Sequence, residues 1–185
     1  MEALVYVRVR PGMVPSVAVE LRARGIRRAV IVVSDWDVLA LAEGSDMQSI
    51  ARNVIGSLHQ IDGIEQTLTV PIVPTDRIGD LGGGFAMISP PTLTPGDACY
   101  VHVRAGPGAV PGIVERLSEM DDVAGVAALA GDYDVVAEIR APWEVASGVV
   151  LERIHQIPGV VSTKTMVAVV YDEPDDDRDQ FSTWS

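Results

Sequence analysis

The sequence predicts an α+β fold made of two tandem βαββαβ units, and three observations carry that prediction. Short motifs recur at a nearly constant offset. Val14-Pro15 returns as Val110-Pro111 and Leu58-His59-Gln60-Ile61 as Ile154-His155-Gln156-Ile157, both 96 residues on, and Asp35-Trp36-Asp37-Val38 returns as Asp132-Tyr133-Asp134-Val135 at 97. The opening Tyr6-Val7-Arg8-Val9-Arg10 reads against Tyr100-Val101-His102-Val103-Arg104 at 94. Within each copy the apolar period also changes in the same order, from strand to helix and back. Finally, residues 74–97 between the copies contain Gly82-Gly83-Gly84, Pro90-Pro91 and Pro95-Gly96, which is the punctuation of a linker.

The elements follow in order. Leu4 to Arg10 and Ala98 to Arg104 are valine-rich and bounded by Pro-Gly or Gly-Pro, as strands are. Val14, Val17 and Leu21, like Val110, Ile113 and Leu117, then recur at helical spacing, with Pro15 and Pro111 suited to a first turn. Gly25 suits a helix stop. Ala29 to Val33 and Val126 to Ala130 are short apolar strands, and turns at Asp35-Trp36-Asp37 or Gly131-Asp132-Tyr133-Asp134 lead into partners ending near Glu43 and Arg140. Ser45 with Gln48 has capping-box spacing ahead of the stripe Met47, Ile50, Val54, Leu58 and Ile61, and Pro142 opens the second-copy helix of Trp143, Ala146, Val150 and Ile154. Final strands run through Thr67 to Val73 and Thr163 to Val170, with Pro71 acceptable at a sheet edge. The βαββαβ order is the split-βαβ, ferredoxin-like arrangement, in which two helices cover one face of a four-stranded antiparallel sheet.

These strands are apolar on both faces: Val38 and Ala40 alternate with Leu39 and Leu41, and Ala29 to Val33 contains no polar residue. A sheet with one wet face alternates apolar with polar. The helix-free face of each unit therefore needs a cover, and the other copy is the nearest one, giving an intrachain pseudo-dimer with its sheets packed together.

Composition narrows the function. The chain has 185 residues, 48% hydrophobic and 22% charged, with a net charge of −12. Asp172 to Asp179 carries six acids against one arginine, so it holds −5 and leaves −7 elsewhere, a poor match to a phosphate backbone. Direct nucleic-acid binding is not expected. No apolar run approaches the roughly 20 residues of a membrane span, and the N-terminus lacks the basic flank and cleavage site of a secretory signal, so the expectation is a cytoplasmic protein with no membrane partner. The single cysteine, Cys99, rules out an internal disulfide framework and a cysteine-rich zinc site. Lys164 is the only lysine beside thirteen arginines, a pattern read as coding bias. His59, His102 and His155 lack the neighbours of a metal ligand set and read as structural histidines. Gly82-Gly83-Gly84 lacks the ending and context of a phosphate loop.

Each copy resembles the ligand-binding domain of the Lrp/AsnC transcription regulators. The likeness rests on the valine-rich opening strand, Gly131-Asp132-Tyr133-Asp134, and Ile157-Pro158-Gly159-Val160 leading into Thr163-Lys164-Thr165. It is fuller in the second copy; the first has Ser34 where the second has Gly131, and Asp62 where the second has Pro158. The expected domains are copy one at 1–73, the linker at 74–97, copy two at 98–171 and an acidic tail at 172–185. Met1 leads straight into the first strand, without the helix-turn-helix domain that such regulators carry ahead of this unit, so operator recognition is not implied.

The resemblance implies a small-molecule effector, an amino acid, near the hairpin turn and last strand. The implied residues are Gly131, Asp132, Tyr133, Asp134, Thr163 and Thr165, with Asp35, Trp36, Asp37, Thr67 and Thr69 as the first-copy set. A carboxylate at the turn suits an ammonium, and hydroxyls two apart on a strand share a face. Turn aspartates also cap backbone donors, and threonine is common in strands. The resemblance further implies a homo-oligomer and allows co-assembly with a full-length regulator, with no cofactor and no metal. The competing class is an enzyme of the dimeric α+β-barrel type. Its cavity needs polar groups, whereas the inner positions read as Val, Ala, Leu and Ile, so the chain is expected not to be an enzyme and to have no catalytic residues. A third reading is an assembly module without an effector.

Overall fold

The computed structural model describes residues 1–24, 26, 28–74 and 89–170. Gly25, the linker center with its three glycines, and the acidic tail lie outside the described residues. The first half of the chain runs β1 (Glu2–Val9), α1 (Val14–Ala23), β2 (Ala29–Val33), β3 (Val38–Glu43), α2 (Met47–Ser57) and β4 (Ile64–Pro71). The second runs β5 (Cys99–Ala105), α3 (Val110–Ser118), β6 (Val123–Ala128), β7 (Val135–Ile139), α4 (Trp143–Glu152) and β8 (Val160–Val169). Pro15 and Pro111 lie in the first turns of α1 and α3. The capping box of α2 is one residue later than its spacing predicts: Asp46 caps and Ser49 reciprocates, with Ser49 N–H donating to Asp46 Oδ1 at 2.7 Å. An aspartate cap accepts with full charge, which outcompetes the neighbouring Ser45 hydroxyl.

All eight strands form one antiparallel sheet in the order β4-β1-β3-β2-β8-β5-β7-β6. The two halves of that order are alike, each with its first strand between its fourth and third, and β2 joins them by pairing with β8. At the far ends Ile72 bridges to Leu129, Val73 N–H donates to Ala128 O at 2.9 Å, and Ala130 N–H donates to Pro71 O at 3.0 Å. A single bridge and its flanking hydrogen bonds thus join the two ends of the sheet, just past the end of β4. Pro71 fits there because only its carbonyl is used.

Strand alternation divides the core in three. Val5, Val7, Leu21, Ile50, Val54 and Leu58 join β1 and β3 to α1 and α2, and Val101, Val103, Ile113, Leu117, Ala146 and Ile154 do the same for the second half. Leu4, Leu39 and Val70 from the first half pack with Tyr100, Val136 and Met166 from the second in an inner cluster. This explains the two-faced apolarity: helices take one face of each half-sheet and the opposite half takes the other. Each fully buried Leu or Ile contributes about 1.5–3 kcal/mol.

Register places the halves in correspondence. A bulge interrupts β1 against β4 between Arg8 and Val9, and the matching bulge in β5 against β8 falls between Arg104 and Ala105. Gly63 O accepts Arg10 N–H, and Gly159 O accepts Gly106 N–H, both at 2.8 Å. The offset is 96 along these strands, so Tyr6 corresponds to His102 and Arg8 to Arg104. The 94-residue match of the opening strands is two residues out. A period-two apolar pattern survives a slip of two with every side chain on its proper face, so only the bulge distinguishes the alternatives.

Candidate functional site

The site forms where the inner faces meet at the end of the barrel that carries the two hairpin turns. Alternation along β1 turns Leu4 and Tyr6 inward, and along β5 it turns Tyr100 and His102 inward, opposite Met166 and Lys164 of β8. Tyr6 Oη and His102 Nε2 are 2.7 Å apart, 96 residues apart in the chain, and form a buried hydrogen bond. His102 has no exposed surface, and its Nδ1 has no partner among the described residues. Burial lowers the imidazole to about 4 and pushes the Tyr6 phenol up, so both are neutral near pH 7.

Pseudo-equivalent groups flank this pair. Trp36 lies 5.9 Å from Tyr6 and Tyr133 lies 5.7 Å from His102, measured between ring centroids, so four rings run in series across the two halves. Arg8 sits 5.1 Å over Trp36, and Arg104 sits 5.4 Å over Tyr133. Arg8 Nη2 donates to Asp35 O at 2.8 Å, and Arg104 Nε to Asp132 O at 3.2 Å, tying each cation to its own turn. Lys164 crosses between the halves to pair with the Asp35 carboxylate, which lowers the Asp35 pKa. A cavity of about 270 Å³ opens here, lined by these groups together with Leu68, Val70, Leu129 and Met166. A larger cleft of about 480 Å³ lies between α1, α2 and β3, but its lining comes from one half only and its ionic groups are surface residues such as Arg28, paired with Glu43. The smaller cavity holds the buried titratable groups and is the better candidate.

Of the residues implied by resemblance, Asp35, Trp36, Asp132 and Tyr133 line this cavity. Asp37 and Asp134 sit behind it: Asp37 Oδ2 accepts Val9 N–H and Asp134 Oδ2 accepts Ala105 N–H, each at 2.7 Å, satisfying the donors at the two bulges. Gly131 packs on Val70, where a β-carbon would stand 2.8 Å from a Val70 methyl. Thr163 and Thr165 alternate with Lys164 and Met166, so they face away from the cavity; Thr163 Oγ1 bonds His155 Nε2 at 2.7 Å. Thr67 bonds His59 at 2.8 Å, and Thr69 shares its face. Tyr6, His102, Lys164 and Arg104 complete the site and are not among the residues the resemblance implies. His102 read as an ordinary structural histidine and Lys164 as coding bias, yet a sole lysine beside thirteen arginines was itself a signal.

At the other end of the barrel, Glu138 is also fully buried. Its carboxylate accepts Thr92 N–H at 2.6 Å and Arg140 Nε–H at 3.2 Å, and Leu93, with φ of 49°, enters the inner cluster beside it. The interior is therefore not the purely apolar one expected, since Tyr6, Tyr100, His102 and Glu138 are all inside. Among the described residues no three His, Cys, Asp or Glu side chains gather as a metal site, and no helix is long and apolar enough to cross a membrane.

Residues 98–178 match the Lrp/AsnC ligand binding domain. The chain is 25% identical over 124 residues to the HTH-type transcriptional regulator FL11 of Pyrococcus horikoshii, covering 66% of this chain and 82% of that one. Its structure is similar to E. coli AsnC, with 20% identity, 54% of this chain and 66% of that chain covered, and a TM-score of 0.38. A broader likeness is to the siroheme decarboxylase NirDL, at a TM-score of 0.63, 12% identity, 92% of this chain and 71% of that one. That likeness is one of fold, and it corrects the expectation that the chain is not an enzyme. An enzyme is built on this fold over nearly the whole chain length, and the inner positions carry the polar groups whose supposed absence had argued against catalysis.

Proposed function

We propose that this chain is a small-molecule-binding unit related to the Lrp/AsnC ligand-binding domain, built as two tandem copies, 1–73 and 98–171, that act as an intrachain pseudo-dimer. The observation that carries this reading is the cavity between the halves, which presents both signs of charge against aromatic and aliphatic walls. An amino acid suits it: Lys164 and Arg104 can take a carboxylate, Asp132 an ammonium, and Trp36, Tyr133 and Leu68 the carbon skeleton. At about 270 Å³ the cavity is just below the ~300 Å³ where drug-sized sites begin, which is room for a metabolite of that size. The match of residues 98–178 to a ligand binding domain supports a bound small molecule, and the reading includes an even-numbered homo-oligomer that co-assembles with a full-length regulator.

The test is a calorimetric and thermal-shift screen of the twenty amino acids. A ligand at a hundred times its Kd should stabilise the protein by about 2.7 kcal/mol. If no amino acid at millimolar concentration gave heat or raised Tm, the reading would be lost.

The likeness to siroheme decarboxylase over most of the chain favours a second reading, in which the chain removes carboxyl groups from a tetrapyrrole. The cavity as it stands is too small for a macrocycle, so this reading requires the barrel end to open. Anaerobic incubation with siroheme, followed by mass spectrometry for loss of carbon dioxide, decides it.

A further inference from the structure

Among the charged groups of the site the pseudo-symmetry is broken at one pair of positions, and the break lies in the cavity lining. At an offset of 96 Lys164 of β8 matches Leu68 of β4, and at the offset of 97 that holds through the hairpin the carboxylate Asp35 matches Asp132. Lys164 reaches from the second half to Asp35 of the first. The mirrored contact would join position 68 to Asp132, but leucine stands there, and Asp132 has no cationic side-chain partner among the described residues. The cavity spans both halves and is skewed toward that side: its lining includes Arg104 and Leu129 but neither Arg8 nor Val32, their first-half counterparts. His102, fully buried with Nδ1 unpartnered, also lines it, which marks the space as more than a surface groove.

Resting on the small-molecule reading above, we propose that the cavity takes one ammonium-bearing ligand per chain, seated where a second lysine would be. Asp132 is the ammonium's partner and the carbon stem lies along Leu68, Val70 and Leu129. Asp35 is unavailable because Lys164 holds it, and Lys164 and Arg104 are left to receive an anionic group at the ligand's other end. The duplication thereby converts what would be two equal half-sites into one directional site.

Three variants and three probes test this by isothermal calorimetry. The probes are the tightest amino acid from the screen, n-butylamine, which has only the cation, and butyrate, which has only the anion. Wild type should bind the amino acid at one per chain and bind n-butylamine more weakly. Leu68→Lys supplies the missing cation from within and should weaken the amino acid by about ten- to a hundredfold, the value of a charge-assisted contact. Leu68→Met, which keeps an apolar side chain there and adds no charge at a position 40% exposed, should weaken it far less than Leu68→Lys does. Asp132→Asn should lose n-butylamine binding, with folding of each variant checked by circular dichroism. If the amino acid bound wild type and Leu68→Lys equally, or at two per chain, the inference would fail while the binding reading stood. Tighter binding of butyrate than of n-butylamine would also overturn it. If no amino acid bound wild type, the failure would belong to the binding reading itself.

Discussion

Tyr6 and His102 occupy the same place in the two halves of the chain and are hydrogen-bonded to each other at 2.7 Å, so the correspondence axis of the molecule passes between a phenol and an imidazole. A symmetric pair of tyrosines or histidines would satisfy the same contact. The mixed pair is what makes the two sides of the site chemically different.

Removing one hydroxyl should therefore cost more at position 6 than at position 100. Tyr6→Phe leaves His102 Nε2 buried without a partner and should destabilise by about 1–3 kcal/mol. Tyr100 Oη is buried with no partner among the described residues, so Tyr100→Phe removes an unsatisfied group and should leave stability unchanged or raised. Urea unfolding of the two variants at pH 7 compares them directly.

Stability should also fall with acid through His102. Its folded pKa of about 4 is below the ordinary value of 6.5, so the unfolded chain binds the proton more readily. The contribution is complete above about pH 6.5 and is lost as pH falls toward 4, about 3 kcal/mol in all. His102→Gln keeps a partner for Tyr6 and does not titrate. The wild-type minus variant difference in unfolding free energy should decline across that window, and a flat difference would show that burial of the imidazole has no such effect.

Asp37 and Asp134 hold the two bulged strands through their carboxylates, both at 2.7 Å. Asp37→Ala and Asp134→Ala should each cost about 1–3 kcal/mol, by similar amounts, because each leaves a partly buried N–H unpaired. Chemical denaturation measures the cost. A variant that lost ligand affinity at unchanged stability would instead give that carboxylate a ligand role.

Glu138 fastens the last part of the linker to the inner sheet. Glu138→Ala frees Thr92 N–H and removes the partner of Arg140, and should destabilise by about 2–3 kcal/mol. Amide hydrogen exchange at Thr92 should accelerate in the variant, more than at Val101 in the neighbouring strand core.

Much of the fold was legible in the sequence because it depends on local periods and on repetition. Leu58-His59-Gln60-Ile61 and Ile154-His155-Gln156-Ile157 point to two halves of like element order without any structure, and the helical stripe from Met47 to Ile61 can bury only one face. The two-faced apolarity of Val38 to Ala42 likewise demands a second packing partner. Of the turn aspartates, Asp37 and Asp134 take the ordinary role of such residues, with side chains spent on backbone donors of an adjacent strand. The register of the first strand was not legible, since alternating valines are indifferent to a slip of two. Nor was the site. Tyr6, His102, Lys164 and Asp35 are ordinary residues in sequence, and they become a site only because β2 pairs with β8 and the sheet closes, bringing together groups 96 and 129 positions apart. Which face of a two-faced strand turns inward, and which charge then meets which across the barrel, is set by long-range pairing, and only the tertiary structure decides it.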